Sequence, residues 1–288
     1  MSPPVVLVLL LAAVTHATWN ALTHTIKDAR KALFLVGTGR LACGLCVLLL
    51  APSPALRAVP YLAASIGIHI AYQIILVRSF QLGDFGQMYP VARGTSPLAV
   101  TLFAGAVLGQ WPHGWNAMGA ALGASGLIVL AAWGVRQGAG GRPIALAAAV
   151  VTGLTIAAYT VVDGVGVRNA GVGLGWLGYV GWLMTGDGSM VTCFALWQAR
   201  GTGTLKPLES RRIALRGWAA GSLSVVAYGL VLWAQTRAPL ALVAVLRESS
   251  VFVGAAIAAL CFKERFGLPR AVAGACMACG IMLMLKPA

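Results

Sequence analysis

The sequence predicts an all-α integral membrane protein in which ten transmembrane helices form two inverted five-helix repeats. Three observations support this fold class. The 288-residue chain is 59% hydrophobic and only 10% charged, whereas a soluble domain has about 25% charged residues. Its apolar residues form ten runs, and a bilayer crossing needs about 20 residues. Segments of the first half also recur in the second. This composition excludes a disordered chain, a collagen, a disulfide scaffold and an ordinary soluble enzyme.

Charged residues, prolines and glycines divide the apolar runs into the ten predicted helices. The N-terminal run lacks the basic segment of a signal peptide and continues to His24, so we expect a permanent span there. The first five helices are expected at Val5–His24, Ala32–Ala51, Val59–Val77, Phe85–Leu108 and Trp115–Trp133. The second five are expected at Pro143–Val165, Gly173–Trp197, Gly217–Gln235, Pro239–Phe262 and Ala271–Leu285.

The net charge of +14 is concentrated in alternate loops. The loops after predicted helices 1, 3, 5, 7 and 9 contain 14 Lys and Arg residues, whereas the opposite side contains four. Cytoplasmic loops carry the excess of Lys and Arg, so we expect both termini in the periplasm of a bacterial cell and a multi-pass inner-membrane protein. Because the basic residues lie in short gaps between spans, we expect no nucleic-acid partner.

Motifs for cofactor, metal or covalent chemistry are missing from the sequence. The two C-x-x-C pairs, Cys43 with Cys46 and Cys276 with Cys279, lie in apolar runs without nearby His or Asp, which favours small core residues over a metal site. The chain contains no G-x-x-x-x-G-K-[ST] loop for ATP and no G-x-S-x-G or H-E-x-x-H motif. We therefore expect no cofactor, no metal and no enzymatic activity.

An internal repeat divides the chain into residues 1–138 and 139–288. Ala71–Trp111 aligns with Ala227–Arg265, with a two-residue gap. Because each half has an odd number of spans, the second half must enter the membrane from the opposite side. Inverted repeats of this kind occur in many secondary transporters, where they alternate access to a central site. The aligned pairs are Tyr72 with Tyr228, Arg93 with Arg247, Gly126 with Gly280 and, more weakly, Trp19 with Tyr159.

Polar and aromatic residues inside the predicted spans are the candidate substrate-binding residues. A lipid-facing helix has no use for such side chains, so they are expected to converge in the interior. Each one alone is commonly a contact between helices, but together they predict a cavity for a small zwitterion or aromatic metabolite. The candidates are His16, Trp19, Asn20, His69, Tyr72, Gln73, Tyr89, Arg93, Ser96, Tyr159, Asp163, Tyr228, Glu248 and Ser249.

Charged residues at membrane depth cost at least about 2.5–3.5 kcal/mol each, so each needs an explanation. Arg93 and Arg247 fit either a structural or gating role or direct substrate contact. Glu248, and similarly Asp163, fits a substrate ammonium group, proton coupling or a buried ion pair with an arginine of another helix. Asp187 lies in the stretch GDGSM, which predicts a break in helix 7, with Arg40 as its partner.

Four segments carry a resemblance to a known family: HATWN (His16–Asn20), YPVARGTSPL (Tyr89–Leu98), YTVVDGVGVR (Tyr159–Arg168) and LRESSVF…LCFKERFG (Leu246–Gly267). With the repeat, the sequence resembles the drug/metabolite transporter superfamily, specifically the ten-helix EamA-type exporters, over nearly the whole chain. The nearest branch is the aromatic amino acid exporters. The resemblance implies a central cavity lined mainly by helices 1, 3, 4, 6, 8 and 9. One departure is Ser249, where the family often has proline.

The function expected from these observations is secondary transport. We expect export of amino acids, aromatic ones included, and of related small metabolites by alternating access. The expected partners are the small-molecule substrate and the lipid bilayer, and a monomer suffices because both repeats are in one chain. Two alternatives stay open: an integral-membrane transferase that acts on a lipid-linked substrate, and a membrane scaffold without transport activity.

Overall fold

The computed structural model describes residues 1–82, 85–137, 143–200, 210–262 and 267–286. In these ranges the chain forms helices and turns and no strand, which confirms the all-α fold class. A 3₁₀ turn at Leu56–Ala58 precedes the third helix. The helices are α1 (Pro3–His24), α2 (Ala29–Leu50), α3 (Val59–Leu82), α4 (Phe85–Leu108), α5 (Gly114–Gln137), α6 (Pro143–Arg168), α7 (Gly175–Ala199), α8 (Arg211–Gln235), α9 (Leu240–Arg247), α10 (Ser249–Phe262) and α11 (Leu268–Met284).

Within the described ranges, seven helices are long and apolar enough to cross a membrane by length and composition. They correspond to α1 to α6 and α8, and α11 contains a shorter apolar helix, Ala271–Met284. Large apolar side chains are exposed on the outer faces of these helices, for example Leu11, Leu49 and Phe103. Exposed apolar surface of this extent marks contact with an apolar partner. The protein is therefore compatible with a membrane-embedded bundle, and the count of ten spans stays a prediction.

Most predicted helix ends lie within five residues of the observed ones, and three features of the helices differ from the prediction in other ways. The predicted break at Asp187 is wrong, because α7 runs without interruption through this residue. Helix α8 begins at Arg211, before the predicted start at Gly217. Arginines can extend a helix beyond an apolar layer, because their long aliphatic stems pack against apolar surface while their charged groups reach water. The predicted helix Pro239–Phe262 is divided at Glu248 into α9 and α10.

The division at Glu248 is a short 3₁₀ turn. The Glu248 N–H donates to the Val245 carbonyl at 3.1 Å, and the Val251 N–H donates to the Glu248 carbonyl at 3.0 Å. Both bonds span three residues rather than the four of an α-helix. All eight residues of α9 are buried, and α9 contacts α1, α4, α5, α6 and α8. The turn therefore lies deep in the bundle.

The helices pack in pairs that are distant in sequence. The most extensive contacts join α2 to α7, α5 to α11, α1 to α8 and α3 to α6. Small residues allow these close approaches. A Cβ atom on Gly188 of α7 would lie 2.5 Å from the Leu41 nitrogen of α2, and one on Gly280 of α11 would lie 2.6 Å from the Gly119 oxygen of α5. Both helix pairs therefore meet through their backbones.

Candidate functional site

Glu248 is the centre of a buried ion-pair cluster. Its side chain is 0% exposed. Arg93 Nη1 of α4 lies 3.2 Å from Glu248 Oε1 and 3.1 Å from Oε2, and Arg247 Nη2 lies 3.2 Å from Oε1. One carboxylate therefore faces two guanidinium groups. The interpretation of Glu248 as a buried ion pair with an arginine of another helix is confirmed.

Each arginine of this cluster also contacts a further helix. Arg93 Nη2 lies 2.6 Å from His16 Nε2 of α1, and Arg247 Nη1 donates to Thr160 Oγ1 of α6 at 3.2 Å. A guanidinium group has donors only, so His16 Nε2 accepts from Arg93. The cluster thus joins α1, α4, α6 and the turn between α9 and α10.

Aromatic rings form a wall beside this cluster. The His69 ring stacks on Tyr159 with centroids 4.1 Å apart. Tyr72 and Tyr228 meet the Tyr159 ring edge-on at 5.6 Å and 6.2 Å, within the separations that favour aromatic pairs. The Tyr159 hydroxyl group interacts electrostatically with Arg247 and Arg93, so the wall lies near the cluster. We call these four rings the aromatic wall.

Asp163 is held by tyrosine hydroxyl groups. It is fully buried on α6, one turn beyond Tyr159. Tyr179 Oη of α7 donates to Asp163 Oδ1 at 2.9 Å, and Tyr228 Oη of α8 donates to Oδ2. This carboxyl group therefore joins α6, α7 and α8 and fixes the Tyr228 ring of the aromatic wall.

A second ion pair, between the partly buried Arg40 and the buried Asp187, connects α2 to α7. Arg40 Nη1 lies 2.7 Å from Asp187 Oδ2, so the predicted partnership is confirmed, and Arg40 Nε donates to Ser224 Oγ at 2.8 Å. The Arg40 guanidinium also lies 5.4 Å from the centre of the Trp19 ring, and that ring meets His16 at 5.2 Å. The polar contacts therefore continue from this ion pair to the Glu248 cluster.

The structure brings together most of the residues predicted for the site. Ser96 and Ser249 are buried on α4 and at the start of α10. The amide nitrogen of Asn20 donates to the His16 carbonyl of its own helix at 2.8 Å, which is a local contact, and Gln73 is half-buried on α3. The side chain of Tyr89 lies outside the described part of the structure. Those in the cluster or the wall are His16, His69, Tyr72, Arg93, Tyr159, Tyr228 and Glu248. Trp19 contacts His16, and Asp163 accepts a hydrogen bond from Tyr228.

Several residues of the site were missed as candidates. The Thr160 hydroxyl group accepts a hydrogen bond from Arg247, and the Tyr179 hydroxyl group donates one to Asp163. The Ser224 hydroxyl group accepts one from Arg40. Single hydroxyl residues in apolar helices carry no distinctive pattern, so no sequence signal marked these three. Ser250 had a signal, because it follows Arg247 at the spacing by which Ser96 follows Arg93.

Replacing Asp187 with alanine is expected to destabilise the protein by about 3–5 kcal/mol, because Arg40 would lose its counter-ion in the interior. Thermal or SDS-induced unfolding in detergent measures the effect. The matched control is Asp28→Ala, which removes the N-cap of α2 and is expected to cost about 1 kcal/mol. Adding Arg40→Leu to Asp187→Ala should recover part of the loss. Equal effects of the two aspartate substitutions would contradict the structural role of the pair.

The arrangement is chemically suited to binding a charged solute. Two arginines, a glutamate and a histidine present buried polar groups beside the aromatic wall. Among the residues that the structure describes, no group of three or more His, Cys, Asp and Glu side chains could hold a metal ion. The geometry therefore provides ion pairing, hydrogen bonding and ring stacking.

Comparison with known proteins supports the fold and is silent about chemistry. No family model matches the sequence, and no curated protein matches it. Sixteen chains of solved structures match. One of them, described as "Crystal structure of protein", has a TM-score of 0.72 and 16% sequence identity over 99% of this chain and 98% of its own. At this identity the likeness shows the fold alone.

Proposed function

We propose that this protein is a secondary transporter of small metabolites that exports amino acids, aromatic ones included, and related compounds by alternating access through a central cavity. The observation that carries this proposal is the buried Glu248 cluster beside the aromatic wall, in a bundle with an apolar exterior. Ionisable groups inside a membrane domain are costly, and they commonly mark the path of a substrate or an ion. A purely structural bundle would be built at lower cost from apolar and small residues.

The helix pairs support the proposed inverted repeat. Exchanging the halves replaces α1 with α6, α2 with α7, α3 with α8, α4 with α9 and α10, and α5 with α11. This exchange converts the α1–α8 pair into the α6–α3 pair, and both pairs are closely packed. The α2–α7 and α5–α11 pairs are converted into themselves, as helices beside a two-fold axis must be. Such an axis in the membrane plane is typical of transporters with inverted repeats.

Backbone contacts between α5 and α11 support the same axis. A Cβ atom on Gly126 would lie 2.7 Å from the Ala273 oxygen, and one on Gly280 would lie 2.6 Å from the Gly119 oxygen. The repeat aligns Gly126 with Gly280, and the same offset carries Gly119 to Ala273. The two close contacts are therefore equivalent, because exchanging the halves converts one into the other.

The remaining parts of the proposal rest on the sequence. The resemblance to the EamA-type exporters supports ten spans, and the distribution of Lys and Arg supports periplasmic termini in a bacterial inner membrane. The protein acts as a monomer in this proposal, without a cofactor and without enzymatic activity. We assign the stacking of substrate rings to Trp19, Tyr72, Tyr89, Tyr159 and Tyr228.

The mechanism that we propose uses the ion pair between the halves. Arg93 belongs to the first half and Glu248 to the second, so relative rocking of the halves changes the contact that joins them. Substrate that enters the cavity binds beside this contact and meets the aromatic wall. Reorientation of the halves then opens the cavity to the other side, as inverted repeats allow.

Counterflow in proteoliposomes tests the proposal. Vesicles loaded with unlabelled amino acids and related metabolites are expected to accumulate the labelled compound above the level of empty liposomes. Arg93→Gln is expected to lower this exchange roughly tenfold or more, because a hydrogen bond to a charged group contributes about 1.5–3 kcal/mol. The matched control is Arg237→Gln, since Arg237 is exposed and packs over Trp233.

Two outcomes would contradict the proposed function. One is the absence of exchange across a broad panel when the reconstituted protein is folded and monodisperse. The other is equal exchange by the wild-type protein and Arg93→Gln, which would show that the cluster is not part of the transport site. Turnover of a lipid-linked substrate without movement across the membrane would favour the transferase alternative.

A further inference from the structure

Each half of the chain contributes the same short motif to the buried cluster. Arg93 and Ser96 on α4 are three residues apart, as are Arg247 and Ser250 across the turn between α9 and α10. The repeat that aligns Arg93 with Arg247 also aligns Ser96 with Ser250. In a helix, residues three apart lie on one face. The cluster therefore contains two copies of an arginine–serine pair, one from each half.

The two copies differ in charge. Glu248 follows Arg247, whereas its aligned position in the first half is Gly94. The two arginines therefore share one carboxylate, with Glu248 Oε1 3.2 Å from each of them. Arg93 is 8% exposed, Arg247 5% and Glu248 0%. Two positively charged side chains and one negatively charged side chain therefore meet in this group.

Unpartnered polar atoms belong to this group or to residues within three positions of it along the chain. Ser96 Oγ, Ser249 Oγ, Ser250 Oγ and Arg247 Nε are buried and have no hydrogen-bond partner among the described residues, and the same is true of one acceptor, Glu248 Oε2. Ser96 is 0% and Ser250 3% exposed. Buried polar groups are nearly always satisfied in folded proteins, and exceptions mark a position where a water, an ion or a ligand binds. Hydroxyl donors beside two guanidinium groups have the chemistry of a carboxylate site.

A substrate ammonium group is disfavoured at Glu248 by the two neighbouring guanidinium groups, although Glu248 Oε2 has no hydrogen-bond partner among the described residues. Both Glu248 oxygens face Arg93 Nη1, at 3.2 Å and 3.1 Å, and Oε1 also faces Arg247. An ammonium group at Glu248 would have two guanidinium groups as neighbours, and like charges repel strongly in a medium of low polarity. The oxygens of Asp163 accept hydrogen bonds from Tyr179 and Tyr228 rather than from the two arginines.

From these observations we infer that Arg93 and Arg247, with the Ser96 and Ser250 hydroxyl groups, form a subsite for the carboxylate of a small organic acid or amino acid. This inference names the substrate class of the proposed transport site and therefore rests on the proposed function. The carboxylate places a second negative charge beside the two arginines and accepts from the buried donors. The aromatic wall beside Thr160 receives the apolar body of the ligand, which favours aromatic carboxylates.

Binding of benzoate and benzamide to the full-length protein in detergent tests the subsite. The two probes have the same ring, but only benzoate has a carboxylate. We expect labelled benzoate to bind roughly tenfold more tightly than benzamide or better. Ser250→Ala is expected to weaken benzoate binding about three- to tenfold without affecting benzamide, because the hydroxyl contacts only the carboxylate. The control is Ser125→Ala, whose hydroxyl donates within α5 to Leu122.

The experiment has clear contrary outcomes. Equal affinity for the two probes, no benzoate binding, or wild-type benzoate affinity in Ser250→Ala would each overturn the subsite. Arg247→Gln should reduce benzoate binding further than Ser250→Ala does. If Arg247→Gln does not fold, Ser250→Ala still tests the subsite, because it leaves the ion pairs of Glu248 in place. The proteoliposome exchange separates the two proposals. Benzoate binding without exchange supports the subsite and contradicts transport. Exchange without a preference for carboxylates supports transport and contradicts the subsite.

Discussion

Replacing Glu248 with alanine is expected to destabilise the protein by about 3–5 kcal/mol, because two buried guanidinium groups lose the carboxylate that they share. Arg93 and Arg247 would then face each other in an interior where like charges are costly. The midpoint of SDS-induced or thermal unfolding in detergent measures the loss, and the monodisperse fraction on size exclusion shows whether the variant folds.

Matched variants identify the origin of this effect. Glu248→Gln keeps the shape of the side chain and removes its charge, so a similar loss is expected if charge is the cause. Adding Arg93→Leu to Glu248→Ala removes one uncompensated charge and should recover part of the loss. A wild-type unfolding midpoint for Glu248→Ala would contradict the buried cluster.

Replacing Gly280 with alanine is expected to cost about 1–3 kcal/mol, because the new methyl group overpacks a close helix contact. A Cβ atom at this position would lie 2.6 Å from the Gly119 oxygen and 3.0 Å from the Gly123 nitrogen. Both atoms belong to the α5 backbone, so α5 and α11 must move apart. Unfolding in detergent again provides the measurement.

Gly274 on the same helix provides the control. A Cβ atom there would meet Phe252 Cδ1 at 3.6 Å, which is an ordinary van der Waals contact. Gly274→Ala is therefore expected to be neutral or slightly stabilising, since alanine favours the helix by up to about 1 kcal/mol over glycine. Equal unfolding midpoints for the Gly280 and Gly274 variants would show that α5 and α11 are not in backbone contact.

The two proposals make different demands on the Glu248 cluster. Transport requires that the contact between Arg93 and Glu248 changes as the halves move, whereas the carboxylate subsite requires surplus donors beside it. A stable ion pair alone would satisfy neither demand. The unpartnered serines and the 3₁₀ turn at Glu248 are the features that distinguish this cluster from the Arg40–Asp187 pair, whose α7 helix is uninterrupted.

Composition and the spacing of charged residues determined the all-α class and most of the helix boundaries. The reason is that a chain with so few charged residues must bury or cover its apolar runs, and helices satisfy their own backbone groups. The pairing of Arg40 with Asp187 was also predictable, since opposite charges in apolar helices need each other. The ten spans, the inverted halves and the transport function remain predictions.

Only the tertiary structure decided how the polar residues are grouped. Nothing in the local sequence around Glu248 marks a helix break by glycine or proline; the turn occurs where Arg247 and Glu248 are held by partners on α4 and α6. Likewise, GDGSM contains the residues of a break, yet α7 continues because Asp187 is bound by Arg40 of α2. Local sequence determines which backbone forms are accessible at low cost, and side-chain contacts between helices distant in sequence determine which one is adopted.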